Sequence, residues 1–205
     1  GRSKTYVNKI LKTINGEYFK NYKIIKVLRK QNKIRLYYGS LNEFFDYDKV
    51  VFAIHADEIL SLINDPLNDE KKILKNFKYK KNIAYLHTDS SLMPLRKNIW
   101  SSWNSILNKE NSKENCVTYW LNKLQNLQTD KNYFLTLNPI ISIDEKKVIK
   151  KIEFTHPVYD MQTLNAQKHL SELQGVNNTW FCGSYFGYGF HEDGLKSAID
   201  ISNKL

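Results

Sequence analysis

The sequence predicts a mixed α/β or α+β fold, and three observations carry that reading. Two stretches, 48–60 and 179–202, run from an apolar strand through a short turn into a helical pattern. Between them lie runs of strand type at 81–89, 132–139 and 147–160. No internal repeat or low-complexity segment imposes a solenoid or a disordered linker.

In chain order, residues 4–14 place Tyr6, Val7, Ile10, Leu11 and Ile14 at helical spacing, and Asn15-Gly16 ends that helix. KIIKVLRK (23–30) and KIRLYYG (33–39) form a hairpin about a Gln31-Asn32 turn. Val50 to Ile54 form a buried strand that enters a helix through His55-Ala56-Asp57, and Asp65-Pro66 breaks that helix. A short amphipathic helix at 69–77 precedes the strand at 81–89, which sets Ile83, Tyr85 and His87 on one face. Residues 90–106 read as a proline turn carrying Trp100 and Trp103, and 116–127 as a strand turning helical. After the strands at 132–139 and 147–160, a helix at 166–175 closes on Gly175, and the unit at 179–202 follows.

A chain of 205 residues holds one large domain or two small ones. At 41% hydrophobic and 13% aromatic it is not disordered by composition. No apolar run approaches the roughly 18–20 residues that span a bilayer. The opening GRSKTYVNKILKTI shows neither an initiator Met nor a signal-peptide apolar region, so it reads as a chain entered mid-protein: a fragment, a split gene product or a trimmed chain. Cys116 and Cys182 form no CxxC and are too few for a disulfide framework, which fits a reduced, cytoplasmic setting. The net charge of +10, with 13 Tyr and 10 Phe, raises nucleic acid or an anionic membrane as a partner. The lysines, however, fall in many small groups along the chain, as a solvated surface would have them.

The terminal stretch TWFCGSYFGYGFHEDGLKSAIDIS carries the most chemistry. Gly183, Gly187 and Gly189 permit close backbone approach beside Ser184, and a helix starting near Glu192 or Asp193 aims its unpaired N–H groups back at the turn. Such an N-terminus favours phosphate or carbonyl oxygen. Glycines serving only as turns explain the same string. The strand end at Ala53 and His55 has the same form, and two such ends converge on one crevice in a doubly wound sheet. Trp100, Trp103, Tyr119 and Trp120 read either as core or as the wall of a substrate cavity. The five histidines pair at no metal-ligand spacing, so no metal is expected. Cys182 lies in a predicted buried strand and reads as an inert small hydrophobe.

The stretches YDKVVFAIHADEIL, YKKNIAYLHTDSSLMP, WSSWN, CVTYWLNKLQ, YFLTLNP, FTHPVYD and TWFCGSYFGYGFHEDGLKSA, in that order, resemble the flavin-containing amine oxidoreductase superfamily. The likeness is strongest to a bacterial group of amine-oxidase-like NAD/FAD-binding proteins. It implies a fold like that of monoamine oxidases and phytoene desaturases, in which separated segments build an FAD domain around an inserted substrate domain. The family's N-terminal GxGxxG is absent, so the chain resembles the C-terminal portion, without the N-terminal Rossmann βαβ. Gly1-Arg2-Ser3 resembles the family's turn before an FAD-domain helix. The implied division is 1–56 (partial FAD domain), 57–157 (substrate-domain-like) and 158–205 (return to the FAD domain).

Carried over by position, the resemblance implies that Gly183 and Ser184 approach the FAD pyrophosphate and ribityl chain. It sets His191, Glu192, Asp193 and Gly194 toward the isoalloxazine, Ile24 near the adenine, and Ala53 at the end of the strand beneath the cofactor. The FHEDGL stretch departs from the amine oxidases proper by about one residue and brings no second tyrosine for an aromatic cage. The implied activity is FAD-dependent oxidation of a C–N or C–C bond, with a small-molecule or lipid-like substrate walled by Trp100, Trp103 and Tyr119. His191 is the polar side chain expected near the flavin. The implied partner is the missing N-terminal half of the FAD domain, with peripheral membrane contact as a further expectation and no specific nucleic acid. The rival readings are a non-catalytic remnant and a basic, aromatic module that binds nucleic acid or anionic lipid.

Overall fold

The computed structural model describes residues 3–31, 33–108, 111 and 114–205. Within them the chain forms two compact units, Gly1–Phe77 with Met161–Leu205, and Lys78–Asp160. No described helix is long and apolar enough to cross a membrane.

The first unit begins with helix α1 (Ser3–Thr13), which buries none of its residues. A meander follows, β1 (Ile24–Lys30), β2 (Lys33–Tyr38) and β3 (Phe44–Tyr47), antiparallel in that order. The register pairs Lys30 with Lys33, so β1 and β2 form the expected hairpin; Asn32 of its turn lies outside the described residues, as do Gly1 and Arg2. Strand β3 has no signature in the sequence: its four residues FFDY are all exposed, so no period-two burial marks it. Next come β4 (Val50–Phe52), α2 (Ala56–Leu62) and α3 (Asn68–Leu74).

Both helices belong to the first unit, although the sequence reading drew the boundary at 56/57. A buried ion pair shows why. Arg29 of β1 donates Nη1 to Glu70 Oε1 at 2.6 Å and Nη2 to Glu70 Oε2 at 3.0 Å. Both side chains are at most 2% exposed. Glu70 also accepts the Leu67 N–H at 2.8 Å, and Arg29 donates to the Asp65 carbonyl at 2.6 Å. Beside this knot Asn64 donates its N–H to the Val27 carbonyl. A charge pair out of water holds only when its lone pairs and protons are this fully used.

The second unit is one antiparallel sheet. Its strands are β5 (Lys78–His87), β6 (Trp103–Leu107), β7 (Asn115–Trp120), β8 (Phe134–Leu137) and β9 (Val148–Val158), in spatial order β6-β7-β8-β5-β9. A short helix α4 (Leu121–Gln125) follows β7, where the strand was expected to turn helical. Strand β6 was read only as part of a proline turn. Its buried position is held by a polar residue, Asn104, which pairs with Ser101 N–H and C=O, so no apolar alternation betrays it.

The chain returns to the first unit with α5 (Met161–Gln167), β10 (Thr179–Phe181) and α6 (His191–Ser202). The helix expected over 166–175 instead runs earlier and breaks after Gln167. A 3-10 turn over Leu170–Leu173 then eclipses those two leucines and buries both.

Replacing Glu70 by Gln should leave the buried Arg29 guanidinium with only the half-exposed Asp65 carboxylate at 3.4 Å to balance it, and cost about 3–5 kcal/mol in urea unfolding. The double change Arg29→Met with Glu70→Leu should recover most of that loss. A single variant of unchanged stability would show that the pair carries no weight.

Candidate functional site

Strands β4 and β10 run parallel, with Val50, Val51 and Phe52 beside Thr179, Trp180 and Phe181. The Phe52 and Phe181 rings stack at 5.6 Å. Beyond the last pair Cys182 donates its N–H to the Phe52 carbonyl at 2.9 Å, and a Cβ on Gly183 would stand 3.7 Å from the Ile54 carbonyl. The two strand C-termini therefore lie side by side, where α/β sheets bind ligands.

The edges of this pair differ. The Gln174 side chain accepts the Phe181 N–H at 3.0 Å and donates to the Phe181 carbonyl at 2.9 Å. It thus takes the place of a neighbouring strand and closes the outer side of β10. Among the described residues no strand pairs with the other side of β4, and its Val51 is 38% exposed.

The turn from Gly183 to Phe190 is held by side chains from two helices. Gln167 donates to the carbonyls of Tyr185 at 3.0 Å and Gly187 at 2.6 Å. The buried Ser197 hydroxyl accepts the Gly183 N–H at 3.0 Å and lies 2.8 Å from the Gly194 carbonyl. Asp193 Oδ2 accepts the N–H groups of Tyr188 and Phe190 at 3.0 and 2.9 Å. Two of the glycines are sterically required. Gly183 has φ +154, and a Cβ there would lie 2.7 Å from the Tyr185 ring; a Cβ on Gly187 would overlap the Asp193 carboxylate. Gly194 differs, because its added Cβ would meet the Ser184 nitrogen at an ordinary 3.6 Å. It leaves bare backbone facing bare backbone between the turn and the first turn of α6.

These facts place the residues expected at a cofactor. Gly183, Ser184 and Gly194 form the floor of the turn. His191 and Glu192 open α6, whose first N–H groups have no acceptor within an α-helix. The helix has 12 residues and carries the N-terminal half of its dipole here. The side chains behave differently from the backbone. The Asp193 carboxylate is committed to the turn, Glu192 leans toward Lys196 at 3.8 Å, and His191 Nδ1 lies 3.4 Å from the Tyr6 hydroxyl of α1. What the turn can offer a ligand is therefore N–H groups and an exposed imidazole. Ile24 is the first residue of β1, opposite Tyr38 in the meander. Ala53 follows β4 and is exposed, and His55 stands at the N-cap of α2. Cys182 is buried and its thiol pKa is pushed up by that burial, so it is no nucleophile.

The expected aromatic wall is divided. Trp103 pairs with Tyr119 across β6 and β7, with ring centroids 5.5 Å apart. Trp100 packs edge-on against Trp120 and Phe134. Tyr119 and Trp120 are consecutive in one strand and point to opposite faces. Trp100 thus does not join Trp103 and Tyr119. Gln167, Gln174 and Ser197 escaped the sequence reading, since a side chain hydrogen-bonded to backbone leaves no pattern of spacing.

No family model matches the chain, and no curated protein matches its sequence. Solved structures do. A CLA-producing fatty acid isomerase from P. acnes aligns with TM-score 0.69 and 13% identity, over 99% of this chain and 52% of the other. The fold is that of part of an amine-oxidase-like chain. Putrescine oxidase with bound putrescine aligns at TM-score 0.63 and 9% identity, over 98% of this chain and 53% of its own. Cyclohexylamine oxidase from Brevibacterium oxydans IH-35A aligns at 0.56 and 9%, over 89% and 48%. The chain spans about half the length of these structures.

The glycines should separate on substitution. Gly183→Ala and Gly187→Ala should each lower the melting temperature by several degrees, the equivalent of about 1–3 kcal/mol. Gly194→Ala should leave it unchanged or raise it, because alanine is worth about 1 kcal/mol over glycine within a helix. Equal losses at all three would refute the distinction.

Proposed function

We propose that the chain is part of an FAD-dependent oxidoreductase and that the turn 183–194 is its cofactor-facing element. The observation that carries this is the bare backbone floor of Gly183, Ser184 and Gly194 at the joint ends of β4 and β10. The likeness of the fold to an isomerase and two amine oxidases supports it. In this reading Gly183 and Ser184 hold the pyrophosphate and ribityl chain by close backbone approach. The N–H groups of His191 and Glu192 stand toward the pyrimidine end of the ring system, where a helix N-terminus stabilises negative charge. When bound, FAD would supply the redox chemistry for oxidising a C–N or C–C bond of a small-molecule or lipid-like substrate, by accepting hydride from a C–H of that bond's carbon. The chain's own residues orient it, and none of them is assigned as a base.

The cofactor's dinucleotide end needs a GxGxxG unit, which this sequence lacks. We assign that part to a complementing N-terminal half. The open edge of β4 supports this, since a parallel sheet is rarely left at two strands or uncovered. So do the exposed apolar residues Tyr6, Val7 and Ile10 on α1, Ile14 just past its end, and Leu195 and Ile199 on α6. Trp103, 64% exposed beside Tyr119, is the better placed part of a substrate wall.

The chain alone should purify colourless, and supplying an N-terminal dinucleotide-binding half should yield a yellow protein with flavin absorbance. Gly194→Ala should keep the fold yet weaken FAD retention about tenfold or more, about 1.4 kcal/mol, by filling the floor. A complemented protein that ignores added FAD would sink the reading.

A further inference from the structure

A polar chain runs through the otherwise apolar interior of the second unit. His87, at the end of β5, is fully buried. Its Nδ1 accepts the Asp89 N–H at 3.1 Å, so the neutral ring carries its proton on Nε2, which donates to Thr136 Oγ1 at 2.8 Å. Thr136 in turn shares a 2.8 Å hydrogen bond with Thr118, and both are fully buried. The chain thus crosses β5, β8 and β7.

Asp89 links it to a second segment. Its carboxylate accepts the Ser91 N–H at 3.1 Å and the Asp144 N–H at 3.0 Å, with Lys147 Nζ at 3.5 Å. Thr88 donates its N–H to the Lys147 carbonyl at 3.0 Å. Two loops are therefore clasped together, 88–93 after β5 and 144–147 before β9. The first loop leads to Trp100, which lies over Phe134 and Trp120 and donates Nε1–H to the Pro94 carbonyl at 2.7 Å. Phe134 is also the ring against His87, with centroids 5.6 Å apart.

We propose that His87 and Asp89 form an acid-operated latch on these two loops. In the neutral state the imidazole is an acceptor toward the Asp89 backbone, and the Asp89 carboxylate is free to clasp Ser91 and Asp144. A proton added at Nδ1 sets one N–H against another. It also puts a buried cation on a ring that, among the described residues, is hydrogen-bonded to no carboxylate oxygen. The nearest relief is the Asp89 carboxylate itself, and turning it toward the imidazolium draws it away from Ser91 and Asp144. Protonation thus exchanges one satisfied arrangement for another, and the loops separate as it does so.

The charged groups that bear on the ring are few. Asp89 attracts the proton, and no charged residue faces the ring from β8 or β7, where Thr136, Phe134 and Thr118 lie. Lys147 and Asp144 act on Asp89 from the turn before β9, 3.7 Å from each other. Burial pushes the His87 pKa below the ordinary imidazole value, and the Asp89 carboxylate only partly offsets this. The linkage sign follows: the neutral ring's contribution to stability is whole above about pH 6.5 and is lost as pH falls below it toward the depressed folded value. Burial would raise the Asp89 pKa, but hydrogen bonds from the Asp144 and Ser91 backbone bring it down to about 2. Asp89 therefore stays ionised between pH 7.5 and 4.5.

The test is an NMR titration of the ¹⁵N-labelled chain from pH 7.5 to 4.5. The amides of Asp89, Ser91 and Asp144 should move on one curve whose midpoint is that of the His87 ring. In His87→Gln, whose amide keeps both an acceptor and a donor but takes no proton, that curve should vanish. A His87 ring that titrates while the three amides stay still would overturn the latch. So would the same transition surviving in His87→Gln, or a ring that takes up no proton before the unit unfolds. Should His87→Gln fail to fold, the wild-type comparison of ring and amide midpoints decides the matter alone.

Discussion

Three residues from each of two strands far apart in sequence, Val50–Phe52 and Thr179–Phe181, join the two chain segments of the first unit. Everything at the candidate site depends on this parallel contact. It sets the Phe52 carbonyl to receive the Cys182 N–H, and so fixes where Gly183 leaves the strand. It is a short ladder, and side chains support it. Gln174 closes the outer edge of β10, while Gln167, Ser197 and Asp193 each bind turn backbone that no strand could reach. A loop fixed by side-chain amides and a hydroxyl keeps its own N–H and C=O groups paired without turning them all inward. The remaining donors, at the start of α6, are those a ligand can use.

Charge is handled in the same economical way. The net charge of +10 is spread over the surface, with exposed pairs such as Lys33–Asp48 and Lys81–Glu153 that contribute little. Among the described residues the buried charges are few and engaged. Arg29 and Glu70 bind α3 to the meander, and Asp89 binds two loops of the second unit. Each joins elements that hydrophobic contact alone leaves free to slide, and each leaves a specific penalty when one partner is removed.

Much of this was legible in the sequence. The strand–turn–helix pattern in both segments of the first unit, the β1–β2 hairpin and the strands β5, β8 and β9 all follow from periodicity and turn chemistry. The elements that were missed share a cause. Strand β3 is too exposed to alternate, β6 buries a hydrogen-bonded asparagine, and α5 gives way to a 3-10 turn that a 3.6-residue period cannot register. At the site the glycines were visible and their differences were not. Gly187 faces a carboxylate and Gly194 a backbone nitrogen only because of how the turn folds against α6. The division of Trp100 from Trp103 and Tyr119 was likewise hidden, because it depends on which loop covers which face of the sheet.

The central claim is that backbone groups at 183–194, rather than the acidic or imidazole side chains there, meet a flavin cofactor. Hydrogen exchange measured on the complemented protein with and without FAD tests it most directly. The account predicts that the amides of Ser184, His191 and Glu192 slow on FAD addition, while those of Tyr188 and Phe190, already bound by Asp193, change little. FAD binding that protects other segments and leaves Ser184, His191 and Glu192 unchanged would contradict it.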